Sequence, residues 1–204
     1  PLSPVLSWQD RRTADAIDAL APHEPMVEEI TGLRLSPHYG AGKLQWLLQH
    51  SEPVQAALAD GHLLMGPLAS YLLFQLLADR PTLVDHANAS RTLLWNLHTR
   101  DWDTRMLSLF GVPRTALPDC RPIQSDYGKL AAYDISLHAV NGDQTAALYA
   151  QGLPPLDALI VNIGTGAFVL MPTGSPMPCP DGLLAGISHS DYENGRYYFE
   201  GTVN

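Results

Sequence analysis

The stretch LDALIVNIGTGAFVLMPTG, residues 156–174, constrains the fold more than any other part of this chain. Two apolar β-runs are joined by Gly164-Thr165-Gly166, the pattern of a hairpin closed by a glycine-rich turn. GLLAGISHS and RYYFEGTV continue in the same strand-like manner. Before residue 138 the reading is helix-rich, so the order is helices first and the opening strands of a new sheet afterwards. That order predicts an α/β chain with a boundary near residues 140–155.

The first part carries the helices. TADAIDALA (13–21) has helical spacing with Thr13 as a cap, and a loop holding Pro22, Pro25, Gly32 and Pro37 follows. AGKLQWLLQH (41–50) is amphipathic, with Leu44, Leu47 and Leu48 on one stripe and Trp46 pointing elsewhere. A short helix is expected at 52–60. GPLASYLLFQLLA (66–78) is apolar nearly all round, which predicts a central, buried helix. NASRTLLWNLHTRDWD (88–103) predicts a loop, a short strand and an acidic helix start; the helix that follows ends at Gly111, a C-terminal cap. PVLSWQD near the start reads as a strand and its exit, and VPRTALPDCRP as a proline-broken loop. The chain begins at Pro1 without a methionine and ends in a strand-like run, so it reads as an internal segment of something longer.

Composition narrows the function. Of 204 residues 46% are hydrophobic, enough for a buried core, and the net charge is −9. Only two lysines, Lys43 and Lys129, join ten scattered arginines, which argues against a nucleic-acid partner. No apolar run approaches the roughly 20 residues that span a bilayer. Cys120 and Cys179 sit in proline-containing loops and give neither a disulfide framework nor zinc spacing, so a reducing cytoplasm is the expected compartment. The eight histidines form no HxxxH or HExxH pattern, so no metal site is expected within the segment.

Two features carry chemistry. The glycines of Gly164-Thr165-Gly166 let the backbone approach an anion, where consecutive N–H groups and the Thr165 hydroxyl would cradle phosphate oxygens. Taken alone, an ordinary tight turn is the commoner meaning of such a pattern. Asp143 follows Gly142 and opens QTAALYA, a favoured place for an N-cap. A carboxylate there is favoured in its charged form by the helix end, which suits it to orient a hydroxyl. Locally, the cap is again the commoner reading.

Together the pieces resemble one family. WQDRRTA, TGLRLSPHYGAGKLQWLL, NASRTLLWNLHTRDWD, GDQTAAL, NIGTGAFVLMPTG and FEG occur in the order found in the FGGY carbohydrate kinases, most like the glycerol-phosphorylating members, over essentially the whole chain. The resemblance implies an actin-like, RNase H-like ATPase fold of two α/β domains about a cleft. Residues 1–141 would be the later part of the N-terminal domain and 142–204 the truncated start of the C-terminal one. It implies transfer of phosphate from ATP, with Mg²⁺ held by residues outside the segment, to a small polyol or sugar. The isolated segment would be inactive, because half the ATP site is missing; homo-oligomerisation stays open. By the same resemblance Asp143 is the base toward the substrate hydroxyl, with Gln144 beside it. Gly164, Thr165 and Gly166 hold the terminal phosphates, while Phe168 and Trp46 pack on the substrate. The glycerol-phosphorylating members carry a substrate-contacting tyrosine where this chain has His86. A ketose substrate, sedoheptulose or a pentulose, is therefore an alternative, as is a non-catalytic nucleotide- or sugar-binding member.

Overall fold

The computed structural model describes residues 1–156, 158–163 and 167–203. In chain order the elements are α1 (Ala14–Asp18), a 3₁₀ turn (Ala21–His23), α2 (Glu24–Thr31), α3 (Gly40–His50), α4 (Glu52–Ala59) and α5 (Leu68–Leu76). There follow β1 (Leu83–Asp85), α6 (His86–Ser90), β2 (Trp95–Asn96), β3 (Asp101–Trp102), α7 (Thr104–Phe110) and a second 3₁₀ turn (Arg114–Ala116). Last come β4 (Asp119–Arg121), β5 (Gln124–Lys129), β6 (Ser136–Ala139), α8 (Asp143–Ala147), β7 (Ile160–Ile163), β8 (Ala167–Thr173), β9 (Leu184–Ser190) and β10 (Gly195–Val203).

Local chemistry accounts for most of these boundaries. Pro25 sits in the first turn of α2, where a missing N–H costs nothing, so residues expected to form a loop are helical instead. Gly32 closes α2 with φ +71°, and a Cβ on it would lie 2.8 Å from that of Ala185. Ala185 N–H donates to the Gly32 carbonyl at 2.7 Å, so this helix end is docked onto β9. Asp103 caps α7 by accepting from Arg105 N and Met106 N, and Gly111 ends the helix in the left-handed region.

The C-terminal strands form one antiparallel sheet in the order β7-β8-β10-β9. Alternation along β10 decides what each face meets. Tyr197 and Phe199, with Ala185 and Ile187 of β9, face the main core, alongside Val27, Ile30, Leu94, Trp95 and Phe110 of the helical part. Tyr198 faces the other way, where it packs with Leu170 and with Leu148 just past α8. β1 and β4 form a parallel pair. β4 was hidden in the sequence, because prolines at 118 and 122 flank its three residues.

Two further expectations are overturned. Residues 4–10 form no strand among the described pairings, since β-propensity without a partner backbone stabilises nothing. The apolar helix α5 is not central: Leu73 is buried, but Leu68, Tyr71, Leu72 and Leu76 are each 45–54% exposed. One stripe of α5 packs in a small cluster with Leu83 and Tyr127, and its remaining apolar surface faces outward.

Candidate active site

Two of the candidate segments, α6 with His86 and α8 with Asp143 and Gln144, pack against β9. Asp85 is buried at the start of α6 and is the cap of that helix, accepting from Asn88 N at 3.0 Å and Asn88 Nδ2 at 2.7 Å. Burial raises its pKa, against the lowering effect of those bonds. His86 opens the first turn with its ring 5.3 Å from that of Trp95. Its Nδ1 lies 3.0 Å from Ser190 Oγ at the end of β9, and Ser190 Oγ also accepts from Ile123 N–H at 3.0 Å. Burial, aided by Arg100, pushes the His86 pKa down to about 4, so the ring is neutral at physiological pH.

Two residues back along β9, Ser188 anchors the other half of the site. Asn141 Nδ2 donates to the Ser188 carbonyl at 3.3 Å, and Tyr149 O–H to Ser188 Oγ at 3.2 Å. Asn141 Oδ1 accepts from Gly142 N–H and from the Thr145 hydroxyl, which fixes the entry to α8. The helix cap is Gly142 rather than Asp143, and Asp143 is the first helical residue, exposed. Its Oδ1 accepts from Gln144 N–H at 2.7 Å, and its Oδ2 has no protein partner among the described residues. Gln144 is half-buried beside it.

Phe168 lies on β8 in register with Asn162 and Thr202, two positions from Leu170 and on the same face. Leu170 packs with Leu148, so Phe168 shares the side of the sheet that carries α8. Gly164, Thr165 and Gly166 lie outside the described residues; the strands on either side pair as the hairpin pattern predicts, Ile163 with Ala167.

Trp46 lies on α3. Its ring stacks on His50 at 4.7 Å and 10°, and the Arg12 guanidinium sits 4.5 Å from its centroid, itself bonded to Asp10. Trp46 lines a recess of about 660 Å³ with residues 2–7, which includes none of His86, Asp143, Gln144 or Phe168. Among the described residues no three His, Cys, Asp or Glu side chains come together as a metal site, and no helix is long and apolar enough to cross a membrane. Both cysteines are free thiols.

One cluster went unassigned in the sequence. Arg91, just past α6, pairs with the buried Glu200 of β10 and donates to Tyr198 O–H at 2.7 Å. Tyr39, at the head of α3, is close enough to influence the same guanidinium. Burial alone would lower the Arg91 pKa, but Tyr198, Glu200 and Tyr39 together raise it. Tyr198 reaches Arg91 across β9 where Gly186 stands; a Cβ on Gly186 would lie 2.6 Å from the ring. Arg91 and Glu200 fall within two of the recognised motifs, but no local signal pairs residues 109 apart.

Comparison with known proteins gives the family and the fold. The family described as "FGGY family of carbohydrate kinases, N-terminal domain" matches residues 1–142. A glycerol kinase of Geobacter sp. (strain M21) is 38% identical over the whole chain, and one of Geobacillus kaustophilus is 34% identical. The chain spans 42% of the length of each. The crystal structure of Plasmodium falciparum glycerol kinase with ADP superposes with a TM-score of 0.87 at 26% identity, over 96% of this chain and 41% of that one. A xylulose kinase from Rhodospirillum rubrum, at 18% identity and TM-score 0.83 over 99% of this chain and 42% of its own, shares the fold. The mixed α/β architecture is thus part of the actin-like fold of these kinases. A match over residues 1–142, well beyond half its length, establishes that the chain belongs to the FGGY family of carbohydrate kinases.

Proposed function

We propose that this chain is the part of an ATP-dependent kinase that receives a hydroxyl of a small polyol or sugar, with glycerol the first candidate. The observation that carries the reading is the exposed Asp143 carboxylate, held at the start of α8 with Oδ2 unpartnered among the described residues, while Asn141 and His86 are both tied to β9. Residues 142–204 would then open the second domain of the kinase.

Asp143 Oδ2 accepts the proton of the substrate hydroxyl as that oxygen bonds to the γ-phosphorus of ATP. The bond from the γ-phosphorus to the bridging oxygen breaks, and ADP leaves. Such a transfer depends chiefly on positioning and charge stabilisation. Gln144 and His86 supply polar contacts to the substrate, Phe168 an apolar one, and Thr165 with Gly164 and Gly166 the cradle for the terminal phosphates. The Mg²⁺ that accompanies ATP would be held largely by residues outside this segment, where it would bridge the phosphates and offset their charge. Trp46 packs on the carbon backbone of the substrate.

Asp143→Asn in the intact protein tests the assignment. ADP release with glycerol should fall on the order of a hundredfold or more while ATP binding persists. Near-normal turnover would remove Asp143 from the mechanism. Neutral His86 in place of a tyrosine favours a second reading, a ketose acceptor. A panel of glycerol, pentuloses and sedoheptulose, read by ADP release, decides between them.

A further inference from the structure

Ser190 has no part in the reaction as drawn, yet it is wholly buried and makes two hydrogen bonds. A hydroxyl has one proton and two lone pairs. The Ile123 N–H can only donate, so it occupies a lone pair of Ser190 Oγ. Among the described residues the one acceptor within reach of the Ser190 proton is His86 Nδ1, at 3.0 Å. If Nδ1 carried a hydrogen instead, that buried hydroxyl proton would have no partner. Such a loss disfavours the arrangement by roughly tenfold or more. Nδ1 is therefore the bare nitrogen, and the ring hydrogen sits on Nε2.

We propose that Ser190 is a positioning residue that holds His86 as its Nε2–H tautomer, so that the ring offers a donor, and no acceptor, to an oxygen of the substrate. The proposal rests on the reading of His86 as a substrate contact. It differs from what a tyrosine would do there, since a phenol both donates and accepts. A donor-only ring suits a ketone oxygen as well as a hydroxyl, and it gives nothing to a group that can only donate. The surroundings keep the ring neutral. The Trp95 ring lies against it, and the carboxylate of neighbouring Asp85 is engaged by Asn88. Of the charged groups nearby, Arg100 opposes protonation and Asp101 favours it, with burial outweighing both.

The experiment uses intact protein labelled with ¹⁵N-histidine, and the His86 signals are assigned by their loss in His86→Gln. The expected spectrum shows an unprotonated Nδ1 and a protonated Nε2, unchanged from pH 8 to pH 5. In Ser190→Ala the single-tautomer signature should be lost, and Ser190→Thr should restore it. A protonated Nδ1 in the wild type, or an unaltered tautomer in Ser190→Ala, would overturn the proposal. Kinetics supply the second arm. Ser190→Ala should raise KM for the accepted polyol or sugar by roughly three- to tenfold, the worth of one hydrogen bond, with a smaller effect on kcat. An unchanged KM beside the expected spectra would refute the substrate half of the proposal while leaving the kinase reading intact. Absence of turnover with every acceptor would refute the kinase reading and the substrate half with it, and the spectra would then judge the tautomer alone.

Discussion

Arg91→Ala is the most informative single change to the framework. The substitution removes the partner of Glu200, whose side chain is 7% exposed, and of the Tyr198 hydroxyl. Stranding one member of a buried ion pair costs about 3–5 kcal/mol. Arg91 is itself 29% exposed, so water can reach the vacated space and the low end applies, about 3 kcal/mol. That corresponds to a loss of more than about a hundredfold in the folding equilibrium. Urea unfolding of the intact protein, followed by fluorescence of the buried Trp95 and Trp102, reads the effect. Glu200→Ala and the double variant complete a cycle whose coupling should be about 2 kcal/mol, because the pair loses its reason for being charged only once. Replacing both residues with apolar side chains of similar size should recover much of the loss. High salt should barely alter the wild-type pair, since buried charges are weakly screened. A cost below about 1 kcal/mol for Arg91→Ala, or strict additivity in the cycle, would refute the claim that this pair fastens β10 to the helical part.

Other outcomes follow from the same geometry. Gly186→Ala places a Cβ 2.6 Å from the Tyr198 ring, so the ring must move off Arg91; unfolding experiments should show a loss of about 1–3 kcal/mol, partly relieved by Tyr198→Ala in the same chain. Lys43, buried, donates to the carbonyls of Pro37, His38 and Tyr39, so Lys43→Met should leave them short of donors and lower stability by about 1–3 kcal/mol in urea titrations. His86 has a folded pKa of about 4, below the usual value of 6.5. As pH falls below 6.5 the unfolded chain takes up a proton that the folded one refuses, so stability declines from pH 6.5 toward pH 4 and the loss is complete below that. Urea titrations at pH 7 and pH 4.5 should show a decline larger in the wild type than in His86→Gln, by up to about 3 kcal/mol.

Much of the local architecture was legible. The 41–50 helix, the short helix after Ser51, the Gly111 cap and the β7–β8 hairpin all follow from patterns spanning a few residues. Failures arose where a local rule met an absent or distant partner. The apolar count of 66–78 suggested a central helix, but periodicity gives only the apolar surface and not what lies against it; α5 buries Leu73 and leaves four large side chains outward. PVLSWQD has strand propensity and no pairing among the described residues, while β4 has little propensity and is made a strand by β1. Asp143 looked like a cap because Asp favours that position. The turn of Asn141 and Thr145 moved the cap to Gly142 and set the carboxylate one residue into the helix.

The sequence by itself determined the family, the helix-rich first part followed by strands, and the identity of the chemical groups, because ordered motifs and short-range backbone preferences are written along the chain. Only the tertiary structure decided which groups meet. It placed His86 on Ser190, 104 residues away, and Arg91 on Glu200, 109 away, and it set Trp46 beside a recess lined by residues 2–7. The physical reason is that burial and hydrogen-bond satisfaction are properties of packed surfaces. A histidine's tautomer or an arginine's partner depends on what the opposite strand presents, and no window of neighbouring residues contains that information.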